Sequence, residues 1–304
     1  MTLRSKITAM LLRQRQVPAR LDAIQESLGR IESRLNAPRV AANPREFEFK
    51  VYSQWGEDGI IDHLVTRVPL PERTFVEFGV ESYTEANTIF LLKHRYWRGL
   101  VMDGSPQHVD SIRKSNLMWR HHLMADCAFI TKDNINDLIR RNGFQGDLGL
   151  LSVDIDGNDY WTWEAIDVVH PRIVVCEYNS LFGPRATIST PYRADFWRTS
   201  AHPSNMYYGA SIAALDHLAR RRGYSLVAGN SAGNNVFFVR DDCIGDLARQ
   251  TPEQAYVQAD FREARDAEGA VHHLAFAERQ AVIAHLPVVD VVAGRELPLR
   301  DALQ

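Results

Sequence analysis

Cysteine is scarce in this chain. Among 304 residues there are three, Cys127, Cys176 and Cys243. They lie far apart and form no CxxC pair, which excludes a disulfide framework and a cysteine zinc site. Two sit at or beside expected strands, where buried reduced thiols are the ordinary outcome. Also missing are an apolar stretch long enough to cross a bilayer and an N-terminal apolar core followed by a small-residue cleavage site, so a cytoplasmic location is the expectation. No strong excess of one charge exists either, the formal net charge being −3 at pH 7. That balance is uneven: residues 1–45 hold nine Lys/Arg against three Asp/Glu, a local +6 that leaves −9 for the remainder. An acidic body argues against nucleic acid as a main ligand.

What is present, at 45% hydrophobic and 24% charged residues, is an ordinary globular composition long enough for one large domain with attachments. From Leu3 onward, positions 3, 7, 10, 14, 17, 21, 24, 28, 31 and 35 alternate in steps of four and three, and all but Gln14 are Leu, Ile, Met or Val. This heptad stripe predicts a short coiled coil or helical hairpin that makes the protein a homo-oligomer, with Pro18 opening a second helix. A rival use is peripheral contact with an anionic membrane through Arg4, Lys6, Arg13 and Arg15. Residues 38–45 then read as a linker.

Beyond the linker, strand and helix signals alternate. Apolar runs at Thr74–Val80, Gly99–Asp103, Trp119–Ala125, Leu148–Val153 and Arg172–Cys176 suit strands buried on both faces, with helices between them. A helix capped by Asn158 or Asp159 and stopped by Pro171 completes a βαβ unit. Tyr224–Ala228 and Asn235–Arg240 are close enough for an antiparallel hairpin. The expected fold class is therefore α/β: a doubly wound, Rossmann-like, mostly parallel sheet closed by an antiparallel C-terminal hairpin, preceded by a helical segment. Residues 180–208 form a long connection rich in proline and aromatics, the kind that is usually functional. Its Tyr192, Trp197, Tyr207 and Tyr208 could stack on sugar rings or pack within the domain. Residues 243–304 are expected to be mostly helical.

Chemistry concentrates at the strand ends. In open parallel sheets ligands bind beyond the carboxyl ends of the strands, where Asp154, Asp156, Glu177 and Asn179 would converge unless each merely caps a helix or solvates a loop. Gly79 ends the first strand and lets a ligand approach the backbone, while Asp103 ends the second and can accept both hydroxyls of a ribose. The full GxGxxG fingerprint is lacking, so an adenosyl cofactor without pyrophosphate is favoured over NAD, and S-adenosylmethionine fits that description.

The segments SQWGEDGII, FVEFGV with a downstream Asn87-Thr88, GLVMDGSP, ADC and VDIDGND before a strand ending in CEYN resemble the FkbM-type class I methyltransferases and their sugar O-methyltransferase relatives. The resemblance covers about Tyr52 to Arg240. It implies that Glu77 and Gly79 line the methionine side, that Asp103 holds the ribose, that Asp126 lies near the adenine, and that Ser53 and Gln54 close over the carboxylate. It also implies a divalent metal, magnesium or a similar ion, held by Asp154, Glu177 and Asn179, hard oxygen donors suited to it. Asp156 is the expected general base and His202 the second choice. The chain so divides into a helical oligomerisation segment (1–37), a linker (38–45), a methyltransferase domain (46–242) and a C-terminal extension (243–304). The expected activity is S-adenosylmethionine-dependent O-methylation of a sugar hydroxyl. The alternative is a metal-dependent nucleotide-sugar glycosyltransferase using Asp154-Ile155-Asp156 as a DxD motif.

Overall fold

Successive residues of a strand point to opposite faces of its sheet, and here both faces are covered, which is why the strand sequences read as unbroken apolar runs. Val76, Leu151 and Val174 enter one core cluster, while their neighbours Phe75, Leu150 and Ile173 enter another on the opposite face. The structure, a computed structural model, describes residues 3–261 and 263–304. Met1, Thr2 and Arg262 lie outside the described residues, as do the side chains at 3–16, 18, 19 and 263. The first four positions of the heptad stripe and its basic cluster fall in that set.

The chain opens with α1 (Leu3–Asn36), then α2 (Glu57–Arg67), and continues β1 (Thr74–Phe78), α3 (Ile89–His94), β2 (Arg98–Asp103), α4 (Pro106–Lys114), α5 (Leu117–Arg120), β3 (Leu123–Cys127), α6 (Ile135–Arg141), β4 (Gly146–Val153), α7 (Asp159–Ala165) and β5 (Val169–Glu177). The long connection holds β6 (Ile188–Ser189) and α8 (Arg198–Ala201) and leads to α9 (Ile212–Arg221), β7 (Tyr224–Gly229) and β8 (Asn235–Arg240). Seven strands form one sheet in the order β3-β2-β1-β4-β5-β8-β7. The first five are mutually parallel, and β8 lies antiparallel to both β5 and β7. This is the doubly wound, Rossmann-like sheet with a closing hairpin that the sequence predicts. Its strand order reverses between β1 and β4, the position at which such sheets open a ligand crevice.

Four local expectations are corrected. Helix α1 runs unbroken through Pro18 rather than restarting there, the proline removing one intrahelical bond from a helix of 34 residues. Trp119 belongs to α5, and β3 begins only at Leu123. Helix α7 ends at Ala165, and Pro171 lies inside β5, beyond the stretch that β8 pairs, which starts at Ile173. The C-terminal extension is not mostly helical. Besides α10 (Pro252–Ala255), α11 (Phe276–Ile283) and α12 (Leu299–Ala302), it contains β9 (Glu263–Arg265) paired with β10 (Val271–His273), and β11 (Pro287–Asp290) paired with β12 (Arg295–Pro298). Strand β11 also pairs with β6, which fastens the extension to the long connection. No helix among the described residues is long and apolar enough to cross a membrane.

Candidate functional site

The reversal point of the sheet brings two loops into contact. Gly79 follows β1 with φ +77°, and a Cβ there would lie 1.6 Å from the carbonyl oxygen of Asp154, just past β4. Only glycine fits, since the backbone of one loop occupies the volume a side chain would need. Beside this contact lies a cavity of about 440 Å³, within the usual range for small-molecule sites. Its walls come from Gly79, Asp103, Phe129, Asp154, Asp156 and Arg198, among others.

Asp103, at the end of β2, is buried and oriented on both oxygens: Oδ2 accepts the Glu81 N–H at 2.8 Å, and Oδ1 accepts the Ser105 N–H at 2.8 Å. Oδ1 also meets His108 Nδ1 at 3.2 Å, and since a carboxylate has about four acceptor positions, one remains for a ribose hydroxyl. Phe129 and Ile130, after β3, supply an apolar wall on the same side. Asp126 does not contribute to it, because its Oδ2 is engaged by Arg141 at 2.7 Å and by Asn142 at 2.7 Å.

The other resemblance residues on this half support the loops rather than line the cavity. Glu77 is buried and accepts from the backbone N–H groups of Asn87 and Thr88 and from the Thr88 hydroxyl, which ties the loop after β1 to the start of α3. Burial outweighs those bonds and pushes its carboxyl up to about 7. Ser53 is wholly buried and bonded to Asp58, whose Oδ2 also gathers the N–H groups of Val51, Tyr52 and Ser53. Gln54 meets Asn234 at 3.4 Å. Glu57 accepts from Trp55 and Gly56 N–H and from the amides of Asn230 and Asn235, joining the segment to the β7–β8 turn. The SQWGED segment is thus a knot holding α2 against the hairpin.

On the opposite half, carboxylates converge. Asp154, Asp159 and Glu177 each place an oxygen within 4.8 Å of the others, Asp159 and Glu177 being buried. Burial, followed by repulsion from its acidic neighbours, raises both Asp154 and Glu177 well above the usual carboxylate range. Asp159 is pushed up to about 6, burial outweighing bonds from Ile155 N–H at 2.8 Å and Gly157 N–H at 2.9 Å. Glu177 is 7% exposed, and its buried Oε2 has no hydrogen-bond partner. An orphaned, buried carboxylate oxygen facing two more carboxylates is a donor set that fits a hard divalent cation.

Asn179 stands apart from that set. Its amide donates to the carbonyls of Met206 at 2.9 Å and Tyr208 at 3.0 Å, and its oxygen accepts Leu181 N–H at 3.0 Å, so it closes the long connection. Asp159, which reads in sequence as a helix cap, stands in the cluster instead. Asp156 projects into the cavity from a left-handed turn, φ +56°, and is paired with Arg198. His202 is bonded to Ser204 at 2.7 Å and sits against His285, away from the cavity walls.

Arg198 was not legible in the sequence, since the connection carrying it has no periodicity. Its guanidinium stacks 3.7 Å from the centroid of the Tyr208 ring while Nε donates to the Asn205 carbonyl at 2.7 Å. It is a cation facing the acidic cluster, and its field opposes the upward shift of Glu177. Trp197, half exposed, lies over Phe129 at 6.5 Å across the cavity mouth. Tyr207 and Tyr208 are buried, and Tyr192 reaches Asp133 at 3.3 Å.

No family model matches the chain, and no curated protein matches it. Among solved structures it is similar to an O-methyltransferase from Bacillus cereus in complex with SAH, at 12% identity and TM-score 0.41, covering 72% of this chain and 91% of that one. It is also similar to the SAH-bound N-terminal domain of EvdMO1, at 12% identity and TM-score 0.40 over 73% and 96% of the two chains. A third is the CurJ carbon methyltransferase, at 9% identity and TM-score 0.41 over 65% and 57%. At such values the chemistry has to be argued from the site itself.

Proposed function

We propose that this chain is an S-adenosylmethionine-dependent O-methyltransferase of FkbM type that acts on a sugar hydroxyl of a glycan or glycosylated small molecule with the help of a divalent cation. The observation that carries the reading is one cavity with two unlike ends. At one end, Gly79 permits close approach to the backbone and Asp103 keeps an acceptor position for a ribose hydroxyl. At the other, Asp154 joins the cavity wall to the buried Asp159 and Glu177, which lie within 4.8 Å of it and include an unpartnered carboxylate oxygen.

Methyl transfer to an alcohol breaks a carbon–sulfur bond, forms a carbon–oxygen bond and releases the hydroxyl proton. The chain must therefore align the two substrates, exclude water and accept that proton. A bound magnesium or similar ion would supply polarisation of sugar hydroxyls. Asp154, Asp159 and Glu177 would hold it, a set that takes Asp159 in place of Asn179. Asp156 is the proton acceptor in this reading, and Arg198 fixes its position from the long connection. Phe129 and Trp197, stacked 6.5 Å apart, both line the cavity.

The glycosyltransferase reading is not retained. It requires Asp154 and Asp156 to bind metal together, whereas Asp156 is turned onto Arg198, and it leaves Gly79 and Asp103 unused. Calorimetric titration tests the proposal. S-adenosylmethionine and S-adenosylhomocysteine are expected to bind the purified protein, and Asp103→Ala to weaken both by about tenfold or more, the value of one or two lost hydrogen bonds to a charged group. Absence of binding by either compound overturns it.

A further inference from the structure

The surface of α1 is divided in an unusual way. On one side Gly29 and Ser33 are buried, Gln25 donates to the Val51 carbonyl at 2.8 Å, and Glu26 accepts from Tyr52 at 3.0 Å and pairs with Lys93 at 3.2 Å. A Cβ on Gly29 would stand 2.3 Å from the Val51 side chain, so that side is fitted closely to the body. On the other side Val17, Leu21, Ile24, Leu28, Ile31 and Leu35 are all between 50% and 66% exposed. Single exposed apolar residues need no explanation, but six in one line along a helix docked on the body through residues 25–33 do.

Their spacing assigns them to the core positions of a heptad. Leu21, Leu28 and Leu35 fall at a, and Val17, Ile24 and Ile31 at d. Gly29 then falls at b, Glu26 and Ser33 at f: the body holds positions that a coiled coil turns outward, and leaves free those it buries. We propose that the chain self-associates through this stripe as a parallel coiled coil of three or four copies. Three features select that occupant. From residue 17 to 35, leucine at the a positions with a β-branched residue at the d positions favours more than two strands. The flanking g positions are Arg20, Ser27 and Arg34, and the e positions Gln25 and Glu32. An antiparallel pairing would set g against g, arginine facing arginine. A parallel one sets Arg20 beside Gln25 and Ser27 beside Glu32 of the next copy, pairs that can hydrogen-bond. The seam from residue 17 to 35, about 28 Å long, is short for an isolated coiled coil. Packing on the body has already ordered the helix, so association does not have to supply its folding.

Sedimentation equilibrium of the full-length protein is expected to give three or four times 34.6 kDa, and Leu21→Lys with Leu28→Lys to give the monomer. Those side chains are more than half exposed, so the thermal midpoint of the protomer should hold to within a few degrees while the mass falls. Leu35→Cys should cross-link to its own counterpart under mild oxidation, as only a parallel register allows. A monomeric or dimeric wild type at tens of micromolar overturns the proposal. So does a monomer that sediments with phosphatidylserine vesicles and loses that binding in the double lysine variant, an outcome that assigns the stripe to a membrane surface.

Discussion

Three carboxylates brought together at the ends of β4 and β5 repel one another as long as no cation lies between them, and Arg198 offsets this from the side. Glu177→Gln should therefore act in opposite directions on two measurements. Above the pH at which Glu177 ionises it removes one charge from a crowded, buried set, so the metal-free protein should melt higher there. It also removes a hard ligand, so magnesium or manganese affinity by calorimetry should fall by about tenfold or more. Parallel losses of stability and affinity would instead make Glu177 an ordinary structural acid. Glu77 offers a pH test away from the cluster. Its carboxyl is raised from 4.5 to about 7 by burial, so the folded state holds the proton more tightly than the unfolded chain. The stability this contributes is full below about pH 4.5 and is lost as pH rises through 7, on the order of 3 kcal/mol in all. Urea unfolding at pH 5 and pH 8 should show a decline for the wild type that Glu77→Gln flattens. Equal pH slopes in the two proteins count against it.

At the scale of elements, the site depends on how loops after different strands are fastened. Gly79→Ala would drive a methyl group into the carbonyl of Asp154, a backbone clash that can be relieved only by separating the loops after β1 and β4. The expected cost is roughly 2–4 kcal/mol in unfolding free energy, with S-adenosylhomocysteine binding lost even where the variant stays folded. Asn179 fastens the long connection through Met206 and Tyr208. Asn179→Ala should lower unfolding free energy by about 2–3 kcal/mol because it strands buried backbone groups. Its divalent-cation affinity should change far less than that of Asp159→Asn, which separates a loop fastener from a ligand.

For the whole molecule, the sheet sets what can be near what. Because the strand order reverses between β1 and β4, the ends of β2 and β3 lie on one side of the crevice and that of β5 on the other. Asp103 and Asp154, 51 positions apart in sequence, are thereby placed on the walls of one cavity, with Glu177 in the cluster beside Asp154. Ligand that binds only the folded chain stabilises it by mass action, about 2.7 kcal/mol at a hundredfold excess over Kd. S-adenosylhomocysteine at that excess should raise the thermal midpoint by several degrees, and no shift at saturating ligand would contradict the proposed cofactor. The C-terminal extension bears on the same site, since β11 pairs with β6 in the connection that carries Arg198.

The sequence by itself determined the sheet and the place of its crevice. Apolar runs of strand length separated by helical periods admit few arrangements once both faces must be covered, and glycine at position 79 and acid at position 103 mark strand ends on local grounds. The hairpin was legible for the same reason, two β-rich runs being separated by a short Gly/Asn loop. The tertiary structure alone decided which polar side chains meet. Asp159 and Asn179 each follow a strand end and look alike as donors, but one turns into the acidic cluster while the other spends all its hydrogen bonds on Met206, Tyr208 and Leu181. Arg198 lies 42 positions from Asp156 in a stretch with no periodicity, so nothing local couples them. Secondary structure follows from patterns a few residues long, whereas a site is assembled from contacts across the chain, and those are set by packing.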